Sequence, residues 1–408
     1  MSGYAEITWK GYLRNNGSKG IRNKILVMYT VECASFVAKE IGAAYRNTGM
    51  DVDVVGFGGC TDNEYALRMM IAMIRHPNVG AVLTVGLGCE YLQGKSLAEI
   101  AENEGKPAAW MLIQDYGGTS KTIEEGMLAV QRLHERLADE TVLVDMRVSD
   151  LVIGAECGGS DYTSGLAGNV VVGRLFDRLV EAGGTAIFEE IVEAIGLRDI
   201  LLGRAKNEEV RGDLGSTYDK MLDYCKSVRQ YSVSPGNFAG GLTTIEEKSM
   251  GAFAKSGTKP IEGVLKVSQN PAHAGLWLLD STPDPHYMSF GYTNPNDNEG
   301  LMDLVCSGSH LLFLVTGRGT VVGSAVSPVI KITGNEKTYR RMSDDLDFCS
   351  GSALTGEKPM DVLTEELMSL VIATCQGLQT KAERLNHKEY FIPYKYQASE
   401  STGRNCEV

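Results

Sequence analysis

The sequence predicts an α/β fold built on doubly wound parallel sheets, arranged as two α/β lobes with long functional loops. Three observations carry that reading. From Lys24 onward, short apolar runs alternate with amphipathic stretches; strand and helix periods in strict alternation mean βαβ units whose parallel sheet is covered on both faces. The chain has 408 residues, more than a single hydrophobic core usually serves. It also has 47 Gly, about one and a half times the ordinary share, which suits tight turns and close approach of backbone to ligands.

Strands are expected at Ile25–Tyr29, Val52–Val55, Ala81–Val85 and Ala108–Ile113, each an apolar run short enough for a buried strand. Helical periodicity fills the intervals at Ala34–Tyr45, Glu64–Ile74 and Ser96–Glu104, and a long helix follows over Thr122–Leu137. A second series opens with a strand at Leu151–Ala155, a helix through Val171–Glu181 and a strand at Thr185–Phe188, with helical segments on to about Lys226. Residues 231–300 are rich in Gly, Pro, Asn, Ser and Thr and read as ordered loops, the kind that carry function. Strands at Leu311–Val315 and Val329–Ile332 and a final helix over Asp361–Glu383 complete the series. A boundary near residue 148 gives lobes 1–148 and 149–396, although the second series can equally extend the first sheet; 397–408 reads as a disordered tail.

The net charge of −13 offers no footprint for phosphate backbones or acidic lipid, and no run of Lys and Arg overrides it, so nucleic acid and membrane are excluded as partners. The N-terminus has no basic stretch followed by an apolar run, and no segment approaches the ~20 apolar residues that cross a bilayer. A cytoplasmic protein is expected, in which the nine cysteines are reduced thiols or metal ligands.

Three of those cysteines follow predicted strands: Cys60 in Gly56-Phe-Gly-Gly-Cys60, Cys89 in Gly86-Leu-Gly-Cys-Glu90, and Cys157 in Glu156-Cys-Gly-Gly-Ser-Asp161. Ligands of open α/β sheets gather beyond the carboxyl ends of strands. Thiolates suit iron or zinc, and Glu90, Glu156 and Asp161 add harder oxygens; a small apolar residue packed under a glycine turn is the alternative for each. The glycine-rich stretch 156–173 opens a helix and can hold an anion, but it does not fit the dinucleotide fingerprint. In Gly236–Ser249, Thr243 or Thr244 can cap a helix that carries Glu246, Glu247 and Lys248 in its first turn. Thr316-Gly-Arg-Gly319 can aim a guanidinium at a carboxylate. Asp344-Asp-Leu-Asp347 is either a divalent-ion site or a solvated turn, His76 reads as structural, and His273 and His286 fall in the loop region. No zinc-peptidase, thioredoxin or serine-hydrolase motif is present.

Together with Gly11-Tyr-Leu-Arg14, Gly20-Ile-Arg-Asn23, His76-Pro-Asn-Val79, Gly183-Gly-Thr185, Pro235-Gly-Asn237 and Pro328-Val-Ile-Lys331, these motifs make the chain resemble the altronate and galactarate dehydratase family over nearly its whole length. The resemblance implies a Rossmann-like sheet with a metal site and dehydration of a sugar acid, a small hydroxy acid, with ferrous iron or another divalent ion such as Mn2+ or Mg2+. Two features depart from the family pattern. Members commonly carry a His four residues before the position of Cys60, where this chain has Gly56. Many also carry a small SAF domain ahead of the first motif, which implies that the module here is a separate small SAF-domain subunit or is absent. The related sulfolactate sulfo-lyases are split in that way and expel sulfite.

Dehydration needs a proton removed next to a carboxylate, with the resulting charge stabilised by a metal. The expected catalytic set is Lys248, a base whose pKa burial lowers, with Glu247, and Arg318 or Lys331 as carboxylate clamp. The substrate-binding candidates are Arg22, Asn23, Ser160, Thr243 and Thr244, and the metal candidates are Cys60, Cys89, Cys157, Glu156 and Asp161. An iron-sulfur cluster on the three cysteines is the alternative cofactor. A homo-oligomer is expected, and a non-catalytic sugar-acid-binding subunit is the reading from a different class.

Overall fold

In the computed structural model, which describes residues 4, 6–229, 231, 233–283 and 296–393, the apolar runs become strands of parallel sheets. In chain order they are β1 (Thr8–Leu13), β2 (Lys19–Gly20), β3 (Lys24–Tyr29), β4 (Val52–Gly56), β5 (Val79–Gly86), β6 (Ala108–Leu112), β7 (Val142–Arg147), β8 (Val152–Cys157), β9 (Thr185–Phe188), β10 (Ile261–Lys266), β11 (Gly275–Asp280), β12 (Leu311–Val315), β13 (Val329–Thr333) and β14 (Phe348–Cys349). The chain divides into two units, one of Lys10–Asp145 with Tyr390–Val408 and the other of Met1–Trp9 with Met146–Glu389. A small sheet of order β2-β1-β7 accompanies two large ones.

The unit containing residues 10–145 holds a four-stranded sheet of order β4-β3-β5-β6, parallel throughout. Every residue of β3 and β5 is buried, as expected for central strands covered on both faces, and their sequences are accordingly continuous apolar runs. The helices Glu32–Ala43 and Thr119–Glu140 pack on each other, as do Glu64–Arg75 and Gly94–Asn103. Strand order reverses between β3 and β5, so their carboxyl ends form this unit's switch point. Gly56 ends β4 against Tyr29: a Cβ at 56 would lie 2.3 Å from the tyrosine ring. The hydroxyl of Tyr390 donates to that of Tyr29 at 2.8 Å. The aromatic ring thus fills the space that a larger residue at 56 would need.

The unit containing residues 146–389 holds a separate seven-stranded parallel sheet, β10-β11-β9-β8-β12-β13-β14. Its switch point lies between β8 and β12. The helix Asn169–Glu181 packs on β9 and β11 and against the helix Met360–Cys375; Glu208–Val228 packs on β10; Asp297–Cys306 packs on β8. Gly173 lets the first of these helices meet the turn Ala254–Ser256 backbone to backbone, since a Cβ there would lie 2.1 Å from the Ala254 carbonyl oxygen.

Two parts of the sequence reading are corrected. Within 231–300 lie β10, β11 and the helices Pro235–Ala239 and Ile245–Phe253, and the helix Asp297–Cys306 begins there. Composition across the window hid the short apolar runs Gly263-Val-Leu and Leu276-Trp-Leu-Leu, which pairing with β9 and with each other turns into strands. The final helix is two, Met360–Cys375 and Lys381–Leu385, because Gly377 adopts φ +105° and Thr380 caps the second. The tail 397–408 and His286 lie outside the described residues. No described helix is long and apolar enough to cross a membrane.

Gly173→Ala should destabilise the protein by about 1–3 kcal/mol, the usual cost of forcing atoms into a filled contact. A denaturant midpoint equal to that of the wild type would show that this helix and turn can part freely.

Candidate active site

The turn after β8 is bound to β12. Gly158 N–H donates to the Val315 carbonyl at 2.8 Å, and the Gly159 carbonyl accepts from the N–H groups of Gly317 and Arg318, both at 3.0 Å. The side chains leaving β8 here, with those just past the end of β9, line a cavity of about 580 Å³. Its acidic lining includes Glu156, Glu189, Glu190 and Asp297, and an apolar lining comes from Met221, Cys225 and Val228 of the helix Glu208–Val228.

Four glutamates are gathered at this point with two lysines. Lys248 Nζ donates to Glu193 Oε1 at 2.6 Å, and Lys255 Nζ donates to Glu190 Oε2 at 2.6 Å and to Glu193 Oε2 at 3.1 Å. Glu190 also accepts the Cys157 backbone N–H at 3.0 Å. Its backbone is left-handed, at φ +70°, an uncommon state for a residue with a Cβ that marks sites held by their surroundings. Gly300 lets the helix Asp297–Cys306 reach the cluster, since a Cβ there would stand 2.7 Å from the Glu156 carboxyl carbon.

The electrostatics follow from burial. Removal from water pushes Glu156 and Glu190 well above the usual carboxylate range, and repulsion from neighbouring carboxylates adds to it. Burial acts on Glu193 in the same direction, but Lys248 and Lys255 overcome it and bring the carboxyl down to about 2. Cys157 is pushed up to about 12 by burial and then by Glu193. Burial alone would lower Lys248, yet attraction to Glu193 and Glu190 outweighs it and the side chain is held as an ammonium. The expectation of a lysine with a lowered pKa is corrected on this point, because the buried carboxylates beside Lys248 were not foreseen.

Two triads form, each with its ligand atoms within 4.8 Å of one another: Cys157 with Glu190 and Glu193, and Glu156 with Glu189 and Glu190. Both lysines are bonded into the first triad. In the second, Glu189 accepts from the Ser281 hydroxyl, and Glu156 Oε2 is buried with no hydrogen-bond partner among the described residues. A buried carboxyl oxygen without a partner is costly, and either a proton, which the raised Glu156 favours, or a bound cation offsets that cost. The oxygen-rich set suits a hard or intermediate divalent ion.

Residues 148–398 match the family described as D-galactarate/Altronate dehydratase, C-terminal, and residues 11–138 match D-galactarate dehydratase/Altronate hydrolase, second domain. The chain belongs to the galactarate and altronate dehydratase family. It is 31% identical to the altronate dehydratase of Escherichia coli (strain K12), over 93% of this chain and 76% of that protein. It is 30% identical to the altronate dehydratase of Bacillus subtilis (strain 168), over 94% and 77%. The (2R)-sulfolactate sulfo-lyase subunit beta of Chromohalobacter salexigens is likewise 30% identical, over 96% of this chain and 98% of that protein.

Among the residues the sequence singled out, Glu156, Cys157 and Lys248 come together. Asp161 is buried near them but its carboxylate is engaged: Oδ1 accepts from Thr163 N–H at 2.8 Å and Thr163 Oγ1 at 2.6 Å, and Oδ2 accepts from Asn335 Nδ2 at 2.8 Å. Ser160 Oγ lies 3.2 Å from Cys157 Sγ. Thr244 is the helix cap, accepting from Glu247 N–H, while Thr243 donates to the exposed Glu247 carboxylate. Arg318 is exposed and Lys331 is fully buried, its ammonium 3.4 Å from His387 Nδ1; neither is among the residues lining the cavity. Asp347 accepts the backbone N–H groups of Lys331 and Lys381, which explains that acidic turn structurally.

Arg22, Asn23, Cys60 and Cys89 belong to the other unit. Arg22 Nη1 donates to the Ile21 carbonyl, and Asn23 links Arg14 to Thr141. Cys60 and Cys89 are exposed, and among the described residues neither joins a cluster of three potential metal ligands. The Cys89 turn is organised by buried Glu90, whose carboxylate accepts from Thr30 Oγ1 at 2.6 Å, Gly88 N–H at 2.8 Å and Cys89 N–H at 3.0 Å.

The sequence reading passed over Glu189, Glu190, Glu193 and Lys255. The signal for the first two was present: they directly follow a strand, Thr185–Phe188, at the same sheet edge that drew attention to the cysteines. Lys255 and Glu193 had no local signal, since only the fold brings them together.

Two predictions follow from these charges. Lys255→Met should cost roughly 3–5 kcal/mol of stability in denaturant unfolding, because it strands buried carboxylates; a loss near zero would mean the cluster does not depend on that ammonium. Burial raises Glu90, but its hydrogen bonds lower it further, to a net position below the model-peptide value of 4.5. Glu90 therefore contributes stability above the unfolded-state pKa, and that contribution is lost as pH falls through the folded-state value. The stability difference between wild type and Glu90→Gln should be full at neutral pH and shrink below about 4.5; a difference that grows on acidification would contradict this.

Proposed function

We propose that the chain is the catalytic subunit of a metal-dependent dehydratase that removes water from a sugar acid of the altronate or galactarate kind. The observation that carries this reading is the buried carboxylate triad Glu156, Glu189 and Glu190 beside the Lys248 ammonium in one cavity. Glu156, Glu189 and Glu190 would hold the divalent ion. When bound there, the ion supplies Lewis-acid stabilisation of the charge that develops on the substrate carboxylate.

The chain's own side chains account for the rest. Lys255 neutralises Glu190 and Glu193 and fixes them in place. Lys248 remains an ammonium, able to attract the substrate carboxylate or to give its proton to the departing hydroxyl. The apolar side of the cavity, from Met221, Cys225 and Val228, limits water around the reacting carbons. A separate small SAF-domain chain is the proposed partner, in keeping with a relative that is itself named a subunit.

A second reading, release of sulfite from sulfolactate, is favoured by the match over 98% of the sulfo-lyase subunit. Assaying the purified chain, alone and with the small subunit, on altronate, galactarate and sulfolactate with ferrous iron under anaerobic conditions separates the two. A 2-keto sugar acid as product supports the first reading, sulfite the second, and turnover of none of them rejects both.

Chelation should abolish activity and ferrous iron restore it; full activity in a metal-free preparation would remove the metal from the reading. Glu190→Gln should lose bound iron while Cys60→Ser and Cys89→Ser retain it, with no acid-labile sulfide in any preparation. Sulfide together with loss of iron in the cysteine variants would point instead to an iron-sulfur cluster.

A further inference from the structure

A second cavity, of about 330 Å³, shares Lys248 with the first. It is built where the π-helical turn Ser164–Gly168 meets the helix Ile245–Phe253. Gly165 and Gly251 touch there, a Cβ on either standing within 2.8 Å of the other's Cα, so the two backbones meet and the side chains around them diverge. Ser160, Asp161 and Asn169 supply buried polar lining. Tyr162, Leu166 and Met250 supply an apolar rim and are 53%, 61% and 64% exposed.

Asn169 gives the decisive observation. It is 1% exposed and lines this cavity; its Nδ2 donates to Cys157 Sγ at 3.7 Å, while its Oδ1 is buried with no hydrogen-bond partner among the described residues. A buried amide oxygen without a donor is costly, and the hydroxyl of a ligand, displacing water, would satisfy it. Two carboxylates, Asp161 and Glu247, line the cavity with a single ammonium, which disfavours a phosphate or a second carboxylate as occupant. A neutral polyol fits both surfaces: its hydroxyls meet Asn169, Ser160 and Lys248, and its C–H edge meets the Tyr162 ring and the rim.

We propose that this second cavity is the subsite for the hydroxylated carbon tail of the sugar acid, whose carboxylate end reacts in the first. The proposal rests on the dehydratase reading, and Lys248, common to both linings, sets the tail beside the reacting carbons. Met250→Trp would fill the cavity and Tyr162→Ala would remove its aromatic wall; both side chains are exposed, so the fold should survive either change.

The test compares altronate as substrate with glycerate as competitive inhibitor, since glycerate has the carboxylate and α-hydroxyl but almost no tail. Both variants should raise KM for altronate, Met250→Trp by about tenfold or more, with kcat little changed and the glycerate inhibition constant equal to that of the wild type. Unchanged KM for altronate in both variants, or a glycerate constant that rises in parallel, overturns the subsite. If the wild type turns over no sugar acid, the dehydratase reading fails by itself, and the subsite is judged by titrating galactitol into wild type and Met250→Trp with NMR detection. Binding by the wild type alone supports it; equal binding by both, or by neither, overturns it.

Discussion

Burial of more negative than positive charge at the ends of β8 and β9 is the constraint on which this unit depends. Among the described residues, Lys248 and Lys255 are the cations paired with Glu190 and Glu193 in the cluster that also holds Glu156 and Glu189. Charges removed from water must be paired or take up protons. The two ammonium groups resolve the half around Glu193, while Glu156 is pushed toward its protonated form and, in the proposed function, is where a divalent ion would sit. The packing serves this division. Gly173 seats the turn that carries Lys255, Gly300 admits a helix to Glu156, and the Thr244 cap orients the helix that carries Lys248.

The fold was legible wherever strands are apolar and flanked by helices of clear period. β3, β5, β9, β12 and β13 lie where apolar runs place them, to within a few residues. What escaped was structure created by neighbours. β10 and β11 occupy a stretch whose glycine, proline and asparagine content reads as loop, and become strands because β9 offers an edge. That the second series makes its own sheet is likewise settled by pairing between distant segments, which a local pattern does not encode.

The site was legible in part for the same reason. Cys157, Glu156 and Lys248 lie in glycine-flanked or capped motifs, and local chemistry singled them out. Lys255 and Glu193 are ordinary charged residues in the sequence, and only folding brings them within 3.1 Å. The thiols drew attention as soft ligands, but the structure gathers oxygen ligands around Glu190, with Cys60 and Cys89 on the other unit. The sign of the shift at Lys248 shows the same limit, since burial and nearby carboxylates act in opposite directions and only the arrangement in space says which prevails.

The left-handed backbone of Glu190 bears on how this protein can be engineered or can drift. A side chain there forgoes roughly 1–2 kcal/mol that glycine, with no Cβ, would recover. Only glycine escapes that strain, and at 190 it would leave Lys255 and the Cys157 N–H without this carboxylate, a loss larger than the strain it relieves. Variation at this residue is thus held in check by the charge cluster as well as by the backbone, and a drifting sequence can relax the strain only by changing Lys255 together with it.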